Sequence, residues 1–248
     1  MNTAQNRRSR SFPSAAALAL LAGTTAFAQP AEKPVRYDGH KSVRVTVTSP
    51  RELMTVTALT DDVLTCEGSG IGTFDVRMSP EHFKAFTSTG IAYQVLIPDM
   101  QAAIDQIWAD DARIRREEQH QDDPGWFTTY RTLAELEARM QYYATNYPSL
   151  ATLTDIGTSV QGRSIKMLRI TGPGSTTNRP AIVVQANQHA REWITPHAAM
   201  YMIDRFCETY GTDPRITNIV NNIDLHIIVT ANPDGYEYTW TNDRYWSK

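Results

Sequence analysis

Apolar and polar positions between residues 42 and 98 alternate with a period of two or recur with a helical period, which predicts short strands and amphipathic helices. Valine occupies every second position from Val43 to Val47, as on the buried face of a strand. In Ser49-Pro50-Arg51-Glu52, serine can cap a helix, proline suits the first helical position and glutamate completes a capping box. Because Ser79-Pro80-Glu81 repeats this signal, two helices are predicted here.

The strands of this half complete a recognisable order. Residues 63–78 have the pattern of two strands around a glycine-rich turn, and residues 91–97 have the pattern of a fourth strand. The order βαββαβ is the ferredoxin-like arrangement, an antiparallel sheet with two helices on one face. We therefore predict a ferredoxin-like α+β domain over residues 36–98, with no catalytic cluster inside it.

Residues 99–123 begin with a helical pattern and continue into a run of charged residues. Because a run of this kind is usually solvated, we expect a linker that proteases can reach. Arg113, Arg115 and Arg116 are the candidate cleavage positions in this linker.

The hydrophobic pattern changes in residues 124–248, where helices alternate with strands. Thr132-Leu133-Ala134-Glu135 is a capping box that opens a helix, and residues 164–170 alternate like a strand with one face in water. Residues 181–186 and 225–231 are continuous apolar runs, which are typical of strands covered on both sides. Helices before and between these strands predict an α/β domain with a mixed sheet.

Composition and charge exclude some classes of partner. The 248 residues are 41% hydrophobic with a formal charge of -3, so a buried core is expected but a broad basic field is not. Nucleic acid and anionic membrane surfaces are therefore not predicted as partners. Two cysteines, Cys66 and Cys207, are too few for a disulfide scaffold, and we expect both to be small buried groups rather than a bridge.

The N-terminus has the pattern of an export signal. Arg7, Arg8 and Arg10 precede a mostly apolar run that ends in the small-residue triplet Ala26-Phe27-Ala28. Because this run is shorter than the roughly 20 residues of a membrane-spanning helix, we predict a signal peptide over residues 1–28 and no integral membrane protein. The mature protein is expected to be secreted or periplasmic, and both the general secretory route and the twin-arginine route remain open.

Candidate metal ligands follow the apolar run at residues 181–186. His189 and Glu192 lie three positions apart where this strand gives way to a helix that Thr195 and Pro196 are expected to open. Ligands collect at the carboxyl ends of strands in α/β sheets, and imidazole and carboxylate groups both bind zinc. A catalytic zinc usually has three protein ligands, so the pair supplies two of them.

Other polar residues of this half have ordinary structural interpretations. His197 falls one turn into the predicted helix and His226 falls inside a predicted buried strand, so we expect a helix-face residue and a satisfied core histidine. The segment Asn232-Pro233-Asp234-Gly235 has the composition of a tight turn. Arg244, which lies among aromatic residues, would on this reading be a stacked surface residue.

Three motifs taken together are more specific than any of them alone. The segments HAREW at 189–193, NPDGYEYTWTNDRYW at 232–246 and GTSVQGRSIKMLRI at 157–170 resemble motifs of the zinc metallocarboxypeptidases of the pancreatic carboxypeptidase A and B type. Residues 36–118 resemble the activation segment of that family. The resemblance implies a secreted zinc-dependent metallocarboxypeptidase, made as a zymogen, that hydrolyses the C-terminal bond of peptides and proteins.

The resemblance also implies roles for individual residues. His189 and Glu192 are similar to the first two zinc ligands of the family, and Arg191 is similar to an arginine that helps to bind substrate. Arg244 matches the arginine that polarises the scissile carbonyl and stabilises the oxyanion. Asp243 departs from the family, which commonly has asparagine at that position.

In the family that this sequence resembles, the third zinc ligand and the general-base glutamate occur later in the sequence than these motifs. Their positions would lie after Lys248. We therefore expect residues 124–248 to be the N-terminal half of a catalytic domain, with an incomplete sheet, that is inactive alone. One Zn²⁺ ion is expected, with its third protein ligand outside this chain. An activating protease would cut in the region Arg113–Arg116, and substrate C-termini would be the other partners.

Two alternatives stay open from the sequence. A cell-wall peptide hydrolase of the same fold is one, although such enzymes more often carry wall-binding repeats and no repeat is present in this sequence. A noncatalytic binding or inhibitor protein that retains half a zinc site is the other.

Overall fold

Two four-stranded sheets, one from each half of the chain, form the framework of the computed structural model, which describes residues 33–65, 68–118, 125–174 and 176–248. The predicted signal peptide and Cys66 lie outside these residues. The segment Lys33–Lys248 is one compact unit. Within its described part, every helix is too short or too polar to span a bilayer.

The first sheet, here called the N-terminal sheet, is antiparallel throughout and has the spatial order β2-β3-β1-β4. Ser49 and Ser79 cap its two helices as predicted, each accepting a hydrogen bond from a backbone amide of the first turn. The elements follow one another as β1 Lys41–Val47, α1 Pro50–Ala58, β2 Asp62–Val63, β3 Gly72–Met78, α2 Pro80–Thr87 and β4 Ala92–Ile97.

The alternating valines of β1 lie in the core that this sheet forms with its helices. Val43, Val45 and Val47 are all buried, and they pack in one cluster with Phe74 of β3 and Phe86 of α2. The period-two pattern thus identifies the buried face of the strand, because successive side chains point to opposite faces.

The segment 99–123 begins as a helix, as predicted, but the helix continues into the charged run that was predicted to be a linker. The helix α3 extends over Met100–Glu118, and residues 119–124 lie outside the described ranges. Its charged end contains the pairs Arg113–Glu117 at 2.9 Å and Arg115–Asp111 at 2.8 Å. Opposite charges four residues apart stabilise a helix, and a prediction from charge content alone does not account for that spacing.

The second sheet, here called the C-terminal sheet, has the order β5-β6-β8-β7. Strand β6 pairs antiparallel with β5 and with β8, whereas β7 pairs parallel with β8, so the sheet is mixed as predicted. Its elements are α4 Leu133–Asn146, β5 Ala151–Thr158, β6 Ser164–Ile170, β7 Ala181–Gln185, α5 Ile194–Glu208, α6 Pro214–Asn222, β8 Asp224–Ile228 and α7 Pro233–Thr241.

The core of this half joins residues of α4, β6, α5 and β8, including Leu136, Leu168, Met200 and Ile227. Thr132 begins α4 with the predicted capping box. Cys207 is buried in the same core, where burial raises the pKa of its thiol to about 12. Because the thiolate is the reactive form, Cys207 is a packing residue rather than a nucleophile.

Strand β7 is an edge strand among the described strands, contrary to the expectation that it is covered on both sides. Ile182 is 44% exposed and Val183 is 64% exposed. The neighbouring β8, which pairs on both sides, buries Leu225 and Ile227. An apolar run therefore does not distinguish an interior strand from an exposed edge, because neighbours in the sheet decide the burial.

Candidate metal and active site

The loop between β7 and α5 carries the predicted metal pair. Asn187 enters this loop with a φ of 54°, a left-handed conformation that asparagine adopts more readily than most residues. Its buried side-chain amide donates to the carbonyl oxygens of His189 and Ala190, each at 3.3 Å. Asn187 therefore fixes the path of the loop. The hydrophobic pattern alone does not assign Asn187 this role, although an asparagine directly after an apolar strand is a turn signal.

The helix α5 begins at Ile194, two residues before the predicted start at Pro196. The hydroxyl of Thr195 donates to the carbonyl oxygen of Glu192 and does not cap the helix. Pro196 is tolerated in the first turn because backbone N–H groups there have no partner within the helix. His189 and Glu192 nevertheless lie in the entry loop, as the sequence predicts.

The side chains of His189 and Glu192 face one another across the loop. Nδ1 of His189 lies 3.1 Å from Oε1 of Glu192, and the two side chains are 30% and 29% exposed. A groove of about 410 Å³ opens beside them and is lined by residues of β7 and α5, including Val184, Ala198 and Met202. The two donor groups are thus close together and accessible from the groove.

An imidazole nitrogen and a carboxylate oxygen on one loop are a donor set that fits zinc. A catalytic zinc usually takes three protein ligands and keeps one position for water. In the part of the chain that the structure describes, no three His, Cys, Asp or Glu side chains form a metal-binding group. The residues present therefore fit two of the three protein ligands of such a site.

His197 has the structural role that its helix position predicts. Its Nε2 accepts a hydrogen bond from the backbone amide of Arg131, and its Nδ1 donates to the carbonyl oxygen of Trp193, both at 2.8 Å. Burial lowers the pKa of His197, which favours the neutral imidazole that this pattern requires. Because both ring nitrogens bond to the backbone, His197 does not act as a third ligand.

His226, by contrast, is more exposed than the satisfied core histidine that the sequence predicts. Its side chain is 23% exposed, and its Nε2 lies 3.4 Å from Oδ1 of Asp224. The neighbouring Leu225 and Ile227 are buried, so alternation along β8 places His226 on the opposite, more open face.

Arg191 points from the loop between β7 and α5 toward the N-terminal sheet. Its Nη1 donates to Oδ2 of Asp62 at 2.7 Å, and its Nη2 donates to the carbonyl oxygen of Val63 at 3.0 Å. Both partners belong to the short strand β2. The predicted substrate-binding arginine is therefore occupied by the first half of the chain, a partnership across 129 residues that no local pattern predicts.

Arg244 lies against the same loop. Its Nη1 donates to the carbonyl oxygen of Arg191 at 3.0 Å, and its guanidinium carbon lies 3.8 Å from the centre of the Trp193 ring. Its Nε is buried and has no hydrogen-bond partner among the described residues. Burial lowers the pKa of Arg244, but an arginine remains charged in proteins. Arg244 thus lies beside the loop that carries His189 and Glu192. Its side chain is partly buried rather than on the open surface.

Trp193 holds Arg244 through an aromatic stack. The rings of Trp193 and Trp240 are stacked at 4.1 Å with an interplanar angle of 8°, so Arg244 covers the other face of Trp193. The indole nitrogen of Trp193 donates to the hydroxyl of Thr239 at 2.8 Å. The orientation of Arg244 is therefore set by packing and a hydrogen bond within a buried cluster.

The segment 232–235, predicted as a tight turn, is the start of the helix α7. Asn232 caps this helix by accepting from the amide of Gly235, and Pro233 takes the first helical position. Asparagine followed by proline signals a helix start as well as a turn, and the following residues decide between them. Gly235 is required by packing, since a Cβ there would overlap Trp246 and Ala190.

Asp234 joins the hairpin between β5 and β6 to the start of α7. It accepts hydrogen bonds from the hydroxyl of Ser159 at 2.8 Å, the amide of Gln161 at 2.9 Å and the guanidinium of Arg163 at 2.7 Å. Burial acts to raise the pKa of Asp234, but these donors and the charge of Arg163 lower it overall. Two of the three motifs that carry the resemblance thus meet at one carboxylate.

Comparisons with known proteins agree with these motifs. Residues 136–248 match the family model described as zinc carboxypeptidase. Carboxypeptidase A1 of Bos taurus is 33% identical over 224 residues, which cover 85% of this chain and 52% of the bovine protein. Carboxypeptidase B of Astacus astacus is 38% identical over 122 residues, which cover 49% of this chain and 39% of that protein.

Two solved structures are also similar to this chain in fold. The crystal structure of the carboxypeptidase A from Helicoverpa armigera matches 86% of this chain and 53% of its own, with a TM-score of 0.69 and 28% identity. The crystal structure of thrombin activatable fibrinolysis inhibitor has the same fold over 85% of this chain, with a TM-score of 0.67 and 20% identity. The chain spans about half the length of these relatives, with 52% of bovine carboxypeptidase A1 covered. Residues 136–248 thus match the zinc carboxypeptidase family model, and most of the chain shares the fold of the Helicoverpa armigera carboxypeptidase A.

Proposed function

We propose that this chain is part of a zinc-dependent metallocarboxypeptidase, which hydrolyses the C-terminal peptide bond of peptides and proteins. The observation that carries the proposal is the facing pair His189 and Glu192, 3.1 Å apart, within the segment that matches the zinc carboxypeptidase family. Arg244 supports the proposal because it brings a positive charge to the same loop.

In this proposal His189 and Glu192 hold one zinc ion. When bound, zinc lowers the pKa of a coordinated water and polarises a carbonyl oxygen. Arg244 donates to the oxygen that gains negative charge as the peptide carbonyl is attacked, an interaction that strengthens toward the transition state. Its stack on Trp193 limits the reorganisation that this requires. Arg191 binds the substrate once it is released from Asp62.

We further propose that residues 36–98 are a ferredoxin-like activation prodomain, which residues 99–123 connect to a catalytic domain over residues 124–248. The antiparallel pairing and the strand order of the N-terminal sheet support this assignment. The ion pair between Arg191 and Asp62 supports inhibition, because it occupies the arginine proposed to bind substrate. Residues 1–28 would direct the zymogen to a secreted or periplasmic location.

Activation would require cleavage in or beside the C-terminal end of α3. Arg115 is a poor target because its side chain is only 28% exposed and its guanidinium also donates to Glu135 of α4. Arg116 is exposed, and the side chain of Arg113 is 53% exposed. We therefore assign the cleavage to the bond after Arg113 or Arg116, by a trypsin-like protease acting when the helix end opens.

The function is tested by metal analysis and a peptidase assay. Residues 29–248 should bind zinc weakly and show no steady turnover, whereas the complete gene product, after trypsin treatment, should release C-terminal amino acids from a peptide panel. His189→Ala and Glu192→Gln should each abolish zinc binding, and His226→Ala is the matched control that should retain it. Zinc that stays bound when both ligands are replaced would contradict the assignment, and a complete gene product that binds zinc without turnover would favour a noncatalytic binding protein.

A further inference from the structure

Residues 34–37, here called the strap, precede β1 and lie along the loop that carries Arg244. The backbone amide of Val35 donates to the carbonyl oxygen of Asn242 at 2.8 Å. The hydroxyl of Tyr37 donates to Oδ1 of Asp243 at 2.7 Å. The strap therefore contacts two consecutive residues directly before Arg244, although some 200 residues separate them, 206 in the case of Tyr37 and Asp243.

Tyr37 is the anchored residue of the strap. It is 6% exposed, its backbone amide donates to the side chain of Gln101 at 2.8 Å, and the guanidinium of Arg77 lies 4.8 Å from the centre of its ring. Burial, followed by the hydrogen bond to Asp243, raises the pKa of Tyr37 well above its ordinary value. Its hydroxyl therefore stays protonated and can donate to Asp243.

Asp243 transmits this contact to its neighbours. The oxygen that accepts from Tyr37 also accepts from the backbone amide of Tyr245 at 3.0 Å, so Arg244 lies within the turn that this carboxylate closes. The carbonyl oxygen of Asp243 accepts from the amide of Trp246 at 3.0 Å. A carboxylate makes stronger hydrogen bonds than a neutral amide at this position would.

The strap also covers one approach to Arg244. A cavity of about 270 Å³ lies between them and is lined by Val35 of the strap, Trp108 of α3 and Arg244. Residues 34–36 of the strap thus form one wall of the space that adjoins this arginine. The contact is separate from the Arg191–Asp62 ion pair, which involves β2 rather than the strap.

We propose that the strap is a second inhibitory contact of the N-terminal segment, in which Tyr37 binds Asp243 and thereby keeps the Arg244 loop closed. Asp243 is in this proposal a positioning residue that fixes Arg244 while the strap is present and releases it when the strap leaves. Its regulatory meaning rests on the proposed function of Arg244. The hydrogen bond between Tyr37 and Asp243 is made entirely by residues of this chain.

Tyr37→Phe tests the proposal because it keeps the ring and removes the donor. In native-state hydrogen exchange of the full chain, the peptide covering residues 242–248 should exchange about tenfold faster, since one hydrogen bond to a charged group is lost. Tyr93→Phe is the matched control, because Tyr93 is an exposed tyrosine on β4 of the same sheet. Exchange that is unchanged in Tyr37→Phe would overturn the proposal.

The reactivity of Arg244 separates inhibition from a merely structural contact. The rate of modification of Arg244 by phenylglyoxal, followed by peptide mass and normalised to Arg215 with its 90% exposed side chain, should also rise several-fold in Tyr37→Phe. A loop that exchanges faster while Arg244 remains equally protected would overturn the inhibitory role.

A double-mutant cycle identifies the bond itself. Asp243→Asn should speed exchange less than Tyr37→Phe, because the amide oxygen still accepts a hydrogen bond, and it should add little in the Tyr37→Phe background. Fully additive effects would overturn the proposal. None of these measurements needs zinc or peptidase activity, so a failure of the proposed function and a failure of the strap are distinguishable.

Discussion

The candidate site has two parts that are held in different ways. The metal part consists of His189 and Glu192, whose side chains are 30% and 29% exposed and meet across 3.1 Å beside an open groove. The arginine part consists of Arg244, Trp193 and Trp240, in which Trp193 is 2% exposed and both of its faces are covered. Packing therefore orders the arginine part before any ligand binds, whereas the proposed metal part would depend on the loop backbone and on a bound ion.

The largest effect on stability is expected from Trp193→Ala, which removes the centre of the arginine part. Loss of a buried tryptophan should lower the free energy of unfolding by about 3–5 kcal/mol, measured by urea denaturation. Ile194→Ala is the control, because the adjacent Ile194 is 62% exposed and its truncation should cost far less. Equal losses in the two variants would mean that Trp193 carries no special packing role.

A smaller loss is expected from Asp234→Ala, which detaches the start of α7 from the hairpin between β5 and β6. Three donors meet at this partly screened carboxylate, so the free energy of unfolding should fall by about 1–2 kcal/mol at pH 7. Asp155→Ala removes an exposed carboxylate that is also ion-paired, and it should leave the stability nearly unchanged. If the two variants behave alike, Asp234 does not anchor α7.

The contribution of Asp234 should also depend on pH. Because the pKa of Asp234 is lowered in the folded state, its stabilisation is fully present above the unfolded value of about 3.9 and is lost as the pH falls through the folded value. The stability difference between the wild-type protein and Asp234→Ala should therefore shrink below about pH 4. A difference that stays constant from pH 7 to pH 3 would show that the charge of Asp234 is not the source.

The sequence predicted the features that depend on neighbours along the chain. The caps at Ser49, Ser79 and Thr132 are local hydrogen-bond patterns, and the structure confirms all three. The spacing of three between His189 and Glu192 predicted that their side chains can point the same way from one turn. The distance of 3.1 Å between them confirms that geometry.

The remaining features depend on neighbours in space. The apolar run of β7 predicted a covered strand, but its position at the sheet edge leaves Val183 exposed. The core position predicted for His226 was wrong because the alternation of β8 places that residue on its more open face. The partner of Arg191 in β2 could not be predicted, since no periodicity links residues so distant in sequence. Tertiary neighbours thus decide what the one-dimensional pattern leaves open.

A still smaller effect on stability is expected at the contact between the loop that carries Arg191 and the N-terminal sheet. The Arg191–Asp62 pair is partly exposed, so a double-mutant cycle with Arg191→Ala and Asp62→Ala should give a coupling of about 0.5–1 kcal/mol in urea denaturation. The coupling should fall at high salt, because partly exposed charges are screened. If no coupling is measured at low salt, the ion pair does not contribute to the proposed inhibition.

The smallest effect on stability is expected in the metal part. His189→Ala should change the free energy of unfolding of the metal-free protein by no more than about 0.5 kcal/mol, because the side chain is partly exposed. Added zinc should raise the melting temperature of the wild-type chain and not that of the variant, which differential scanning calorimetry would record. A large loss of stability without metal would mean that packing orders this part of the site as well.

The position of bound zinc would show whether His189 and Glu192 form a metal-binding pair. Crystals of the chain soaked in zinc would be measured on both sides of the zinc absorption edge, and the anomalous difference would locate the ion. The account predicts one peak at about 2.0–2.2 Å from an imidazole nitrogen of His189 and a carboxylate oxygen of Glu192. A zinc peak elsewhere, with these two side chains still facing one another without the ion, would contradict it.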